Sequence, residues 1–288
     1  MELPALDGKT ALVTGANTGI GRVTAIRLAL AGAHVFLACR SASRTQPVLD
    51  EIARLSGGRA QATWVPLDLG RFDAIHACAT QVQASGRPLH LLVNNAGLAG
   101  KRGRTESGFE LAFGICHVGH FLLTSLLLPQ LQAAPAARIV VLASRAHRHA
   151  AGIDFDAVQR PSASLGGLRD YSVAKLANIL FSAELARRLQ GSAIHSYALH
   201  PGVVATEVWR ELPSPLARLF KPFILTPDQG AATTLYCATA PACAAESGLY
   251  YVNCRHQLPS KVAQSATLAS ELWAHSERWT GQRWPTQA

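Results

Sequence analysis

The sequence predicts an α/β protein built on one doubly wound, mostly parallel sheet. Short apolar runs alternate with longer stretches of helical periodicity from the first residues onward. Each run is nearly continuous rather than alternating, as expected for strands buried on both faces between helix layers. No repeat, low-complexity tract or linker divides the 288 residues, so a single domain over 1–288 is expected.

Residues 10–14 (TALVT) read as a buried strand and 20–31 as the helix after it. A strand at 33–38 (AHVFLA), a helix near 44–55, a strand at 62–66 and a helix near 72–84 follow. Residues 90–93 (HLLV) run into the turn NNAG, ahead of a long helix over roughly 109–131. Then come a strand at 138–142 (RIVVL), a helix from about 170 to 189, a sixth strand at 193–199 and a seventh at 248–252 (GLYYV). A last helix covers about 262–279. Two stretches, 145–169 and 207–227, break the rhythm. In such folds, long irregular segments after strands gather at the carboxyl edge of the sheet, where ligands bind.

Composition narrows the function classes. Hydrophobic residues make up 49% and charged residues 16%, enough for a sizeable core and unlike a disordered chain. The net charge is +9, yet no run of Lys and Arg concentrates it, so nucleic acid is not the expected partner. Cys39, Cys78, Cys116, Cys237, Cys243 and Cys254 show no C-x-x-C or Cys/His spacing. Reduced thiols and no metal are expected. His147 and His149, without carboxylates, do not change that expectation. The opening MELPALDGKT has no apolar stretch, and later apolar runs are too short for a bilayer, so a soluble, cytoplasmic protein is expected.

The first strand runs into Gly15-Ala16-Asn17-Thr18-Gly19-Ile20-Gly21 and then a helix. Glycines let the backbone turn sharply and approach a pyrophosphate, which the helix N-terminus attracts. That context predicts a Rossmann-type dinucleotide site. The second strand ends in Cys39 and Arg40 rather than an acidic residue. A guanidinium suits a ribose 2′-phosphate, so NADP(H) is expected over NAD(H). Tyr171 and Lys175 stand four apart in a helical stretch and share one face. Free tyrosine titrates near about 10, and a neighbouring ammonium favours its phenolate. Such a pair can deliver a proton to a carbonyl oxygen as hydride reaches the carbon.

Together these motifs resemble the short-chain dehydrogenase/reductase family. The matches are TGANTGIG ending at Gly21, Asp68 in PLDL, NNAG ending at Gly97, Ser144 in VVLAS, Tyr171 with Lys175, and HPG ending at Gly202. They stand in the family's order and cover nearly the whole chain. The resemblance implies strand order 3-2-1-4-5-6-7 and a nicotinamide cofactor across the carboxyl edge. It implies that Ser144 hydrogen-bonds the substrate carbonyl, that Tyr171 is the general acid/base, and that Lys175 tunes it and holds ribose. Cofactor contacts are implied at Gly15, Asn17, Thr18, Gly19, Ile20, Gly21, Arg40, Asp68, Leu69, Asn95, Ala96, Gly97, Tyr171, Lys175, Pro201, Gly202, Val204 and Thr206. Asn94 would support the floor of the site.

Within the family the chain resembles the retinol-dehydrogenase branch, through LACR ending at Arg40, GHFLLTSLLLPQL from Gly119, YSVAKLANILFSAELARRL from Tyr171, TPDQGA from Thr226 and GLYYVNC from Gly248. Branch members act on lipophilic aldehydes and alcohols, usually with NADP(H), and many carry a membrane anchor that has no counterpart here. Many relatives pair through the helices holding Gly119 and Tyr171, so a homodimer is one expectation. The segment 207–227 would be a substrate lid; its mixture of Trp209, Phe220 and Phe223 with Arg210, Arg218 and Lys221 also suits peripheral membrane contact. One position departs from the family pattern. Cys116 stands where an asparagine is thought to hold a water that links the lysine to solvent, and a thiol is a poor substitute for an amide. The main expectation is an active enzyme with an altered proton route. The alternative is a weakly active or inactive NADP(H)-binding sensor or scaffold.

Overall fold

The computed structural model describes residues 2–162, 165–202 and 225–284. The strands β1 (Thr10–Thr14), β2 (His34–Cys39), β3 (Ala62–Pro66), β4 (Leu91–Asn94), β5 (Ala137–Leu142), β6 (Ile194–His200) and β7 (Leu249–Val252) are joined by β8 (Arg255–His256). They form one sheet in the order β3-β2-β1-β4-β5-β6-β7-β8. All pairings are parallel except β7 with β8. The predicted order thus holds, and the edge gains a strand that the sequence reading did not contain. β8 returns through a two-residue turn in which Asn253 and Cys254 have φ of 51° and 59°. Such a turn matches the right-handed twist of the paired strands.

Alternation along each strand divides the core between the two faces of the sheet. Val13, Leu37, Val140 and Leu199 face one layer. That layer contains α1 (Gly19–Leu30), α2 (Ala42–Ser56) and α8 (Pro227–Thr239). Leu12, Phe36, Leu92 and Val141 face the other. It contains α3 (Phe72–Ala84), the helical run beginning at Leu111, and α7 (Leu168–Arg188). The helical run is not the uniform helix expected over 109–131. It divides into α4 (Leu111–Phe113), a π-helical segment (Gly114–Val118), α5 (Gly119–Leu126) and α6 (Leu128–Gln132). Pro129, with no N–H to continue the ladder, sits in the first turn of α6.

Two further differences concern the C-terminal third. The reading from sequence gave no helix between the sixth and seventh strands, yet α8 is there. Its start carries Pro227 and a capping box between Thr226 and Gln229. The last helix, α9 (Ala266–Thr280), begins later than expected because residues 262–264 form a separate 3-10 turn and Ser265 caps the helix proper. α9 packs on the outside of α5 and α7. Trp273, 1% exposed, meets Phe121 edge-on at 5.0 Å and stacks on Phe181 at 5.9 Å. Among the described residues, no helix is long and apolar enough to cross a membrane.

Candidate active site

The site forms along the carboxyl edge, where β1, β4 and β5 end. After β1 the chain turns through Gly15 (φ 65°) and Gly19 (φ 55°), conformations that an L side chain rarely adopts. A Cβ on Gly21 would stand 2.4 Å from both the Gly15 carbonyl oxygen and Asn95 Nδ2, so the loop closes only around glycine. Thr18 precedes α1 in an extended conformation, and its hydroxyl does not cap the helix. The first-turn N–H groups therefore remain available to an anion. A backbone cradle at a helix N-terminus, with the side chains kept out of it, fits the pyrophosphate of a dinucleotide.

Cys39 is buried where β2 ends against this loop. Burial pushes its thiol up, opposed by hydrogen bonds involving Thr45 and the Ala16 and Asn17 backbone. Arg40, next in the chain, is exposed and has no hydrogen-bond or ion-pair partner among the described residues. Asp68 is half-buried, and its Oδ1 accepts the Gly70 N–H at 2.9 Å. Leu69 is pressed by α5: a Cβ on Gly119 would lie 2.4 Å from the Leu69 carbonyl oxygen.

The turn after β4 is stitched to β1. The Asn95 and Ala96 N–H groups both donate to Thr14 Oγ1 at 2.9 Å, and Asn95 Nδ2 donates to the Thr14 carbonyl at 2.7 Å. Asn94 donates to Thr124 Oγ1 at 3.0 Å, which makes it a support rather than a wall of the site. Gly97 lies where three elements converge. A Cβ there would be 3.1 Å from Cys116 Sγ in the π-helical segment and 3.5 Å from Lys175 Nζ on α7.

Lys175 is 4% exposed and donates to the Leu142 carbonyl at 2.6 Å. Asn178 Nδ2, less than one turn further along α7, donates to the same oxygen at 2.9 Å. The Lys175 ammonium sits 5.5 Å from the centroid of the Tyr171 ring, which is half-buried. Leu142 is the last residue of β5, so these bonds tie α7 to the strand end from which Ser144 projects. Ser144 is half-buried, and its hydroxyl accepts the Ala146 N–H at 3.2 Å. A phenol, a buried ammonium and a hydroxyl therefore occupy one end of the sheet.

The histidines near this edge are structural. His147 Nδ1 donates to the Ser144 carbonyl at 2.6 Å, and its Nε2 accepts the Ser260 N–H at 3.1 Å. His200 Nδ1 accepts the Arg145 N–H at 3.3 Å. Burial, aided by Arg145, lowers His200 to about 4. No cluster of three or more His, Cys, Asp or Glu suited to a metal occurs among the described residues. Pro201 and Gly202 follow β6, with Gly202 at φ 93° and Leu225 Cδ1 in the space its Cβ would take. Val204, Thr206 and the lid positions 207–224 lie outside the described residues. Sequence reasoning singled out neither Thr14 nor Asn178. Nor did it single out His120, which reaches the site by pairing with Thr14 across 106 residues.

Three comparisons match this arrangement. The family model described as short chain dehydrogenase matches residues 9–216. Human retinol dehydrogenase 12 is 42% identical over 282 residues, covering 97% of this chain and 88% of that protein. Among solved structures, a Mycobacterium Paratuberculosis protein superposes with a TM-score of 0.80 at 32% identity, covering 99% of this chain and 97% of its own. A candidate NAD(P) dependent gluconate 5-dehydrogenase from Beutenbergia cavernae, with NADP bound at low occupancy, gives 0.70 at 26% identity over 86% of this chain and 96% of its own.

Proposed function

The chain belongs to the short-chain dehydrogenase family, and from that premise we propose that it is an NADP(H)-dependent oxidoreductase interconverting a hydrophobic aldehyde or ketone with its alcohol. The observation that carries this reading is the convergence of Tyr171, Lys175 and Ser144 at the end of β5, beside the glycine loop after β1. When bound, the nicotinamide supplies or accepts the hydride at the substrate carbon. The glycine loop and the α1 N-terminus would hold the pyrophosphate, and Arg40, which has no ion-pair partner among the described residues, would meet a ribose 2′-phosphate. Asp68 and Leu69 border the adenine. Gly97, Pro201 and Gly202 would border the nicotinamide, a role the resemblance also gives to Val204 and Thr206.

In the reducing direction, Ser144 donates a hydrogen bond to the substrate carbonyl oxygen, polarises it and steadies the developing alkoxide. Tyr171 gives that oxygen a proton, and the nearby Lys175 ammonium stabilises the phenolate left behind. Leu142 holds the ammonium by its carbonyl, so Lys175 is oriented before substrate arrives. In the oxidising direction, the Tyr171 phenolate takes the alcohol proton. The unpaired cysteines support a reducing, cytoplasmic compartment.

A hydrophobic substrate is supported by the retinol dehydrogenase relative and by the apolar residues of the 207–227 segment. NADPH consumption with aldehydes from short aliphatic to long polyene tests it. Turnover is expected to rise with apolar length, and a preference for short polar carbonyls would contradict it. The second reading, a sensor or scaffold that binds NADP(H) without turnover, rests on Cys116. Tight NADPH binding with no turnover on any carbonyl would favour it.

A further inference from the structure

His120 on α5 is 1% exposed, and its two ring nitrogens reach two parts of the site. Nδ1 lies 3.0 Å from the Cys116 carbonyl oxygen. A carbonyl only accepts, so Nδ1 carries the proton and Nε2 is a bare acceptor. Nε2 is 2.9 Å from Thr14 Oγ1, which therefore donates to it. The competing acceptor, the Val93 carbonyl, is farther from the hydroxyl at 3.4 Å. With its proton committed to the ring, Thr14 Oγ1 accepts from the Asn95 and Ala96 N–H groups. Every link has one assigned polarity, and Thr14, Cys116 and His120 are shielded from solvent, so breaking a bond among them leaves a buried group unpaired.

We propose that His120 is a positioning residue that couples the cofactor-side turn at 95–97 to the backbone of Cys116 and so sets the gap in which Lys175 works. The proposal rests on the nicotinamide-dependent reading above. Gly97 transmits the coupling, because its missing Cβ would stand 3.1 Å from Cys116 Sγ and 3.5 Å from Lys175 Nζ. A shift of a few tenths of an ångström in the turn or in the π-helical segment changes that gap directly. The neutral ring is enforced by its surroundings: burial lowers His120 to about 4, with Lys175 on α7 acting in the same direction, and His117 is lowered to about 3 beside it.

NADPH affinity by fluorescence titration, together with the melting temperature of the unliganded protein, tests the coupling. His120→Phe removes both bonds, and Thr14→Val removes the shared hydroxyl. Each is expected to weaken NADPH binding roughly tenfold, the scale of one lost buried hydrogen bond. The double variant is expected to lose less than the sum of the two single losses, because the residues share one bond. Thr14→Ser, and His120→Gln with Oε1 replacing the Nε2 acceptor, are expected to bind within about twofold of wild type. His120→Asn restores only the donor to Cys116 and is expected to bind weakly. Additive losses in the double variant would overturn the proposal. So would lowered melting temperatures with unchanged NADPH affinity, which is the signature of a merely structural ring. Should His120→Phe not fold, Thr14→Val against Thr14→Ser reads the same link. Wild type that binds no NADPH would instead overturn the functional reading, and this inference with it.

Discussion

The proposed preference for NADP(H) rests on two neighbouring side chains, Cys39 and Arg40. At the end of β2 a buried thiol stands where a carboxylate would favour NAD(H), and the guanidinium beyond it has no ion-pair partner among the described residues. Arg40→Asp is expected to weaken NADPH binding at least about tenfold and to move the preference toward NADH. Titration of both cofactors measures this, and an unchanged ratio would contradict the assignment. At Cys116 the structure adds a constraint. The thiol is fully buried beside Gly97, so Cys116→Asn must force a larger side chain into a tight space. Turnover is expected to rise if the amide restores a proton route, while stability falls by about 1–3 kcal/mol from overpacking. Steady-state kinetics and urea unfolding separate the two effects. That Tyr171 and Lys175 stand together on α7 was legible because a four-residue spacing on a helix fixes which face they share. The roles of His120 and Thr14 were not, because their bond joins positions 106 apart and only the folded chain brings them together.

Among the elements, the close approach of α5 to the segment after β3 carries a testable cost. Gly119→Ala would place a methyl 2.4 Å from the Leu69 carbonyl, against backbone on both sides. A loss of about 1–3 kcal/mol is expected, with weaker NADPH binding because Asp68 and Leu69 must shift. The β7–β8 turn offers the opposite sign. Cys254 holds φ of 59°, where glycine is unstrained, so Cys254→Gly is expected to raise stability by roughly 0.5–1 kcal/mol in urea unfolding. A destabilised variant would show that the contact of the Cys254 thiol with Thr233 Oγ1, at 3.9 Å, outweighs the strain. The strands were legible because apolar runs bounded by turns have few alternative readings. α8 escaped although Thr226, Pro227 and Gln229 spell a helix start, since the preceding apolar and basic residues drew the whole stretch into one irregular segment. The π-helical segment left no signal in the apolar pattern, because one widened turn leaves the same face buried.

At the scale of the whole molecule, α9 lies over α5 and α7, the helices that the sequence reading offered for pairing two copies. Phe121 and Phe181 are covered by Trp273 of the same chain, and His117 Nε2 is 2.9 Å from Ser276 Oγ. Trp273→Ala is expected to cost about 3–5 kcal/mol by opening that seam, measured by urea unfolding. Pairing through this face would require α9 to leave it. The strand order was legible from the sequence because right-handed crossovers allow few alternatives; the course of α9 was not, since an amphipathic terminal helix can cover any apolar seam. Acid sensitivity is also a property of the whole fold. His117, His120 and His200 are held neutral, lowered to about 3, 4 and 4, chiefly by burial. The unfolded chain binds protons at these rings below about pH 6.5, and the folded chain does so only near those lowered values. Stability is therefore expected to fall as pH drops from about 6.5 toward 4, seen as a lower urea midpoint. An equal midpoint at both ends of that window would contradict it.

The central claim is that Tyr171, supported by Lys175, moves the proton at the substrate oxygen. The most direct measurement pairs single-turnover reduction of a long-chain aldehyde with NADPH titration, in wild type and in Tyr171→Phe. The account predicts a rate loss of roughly 10²–10⁴-fold with NADPH affinity unchanged within about twofold. A variant that keeps its rate would place the proton donor elsewhere and contradict the account.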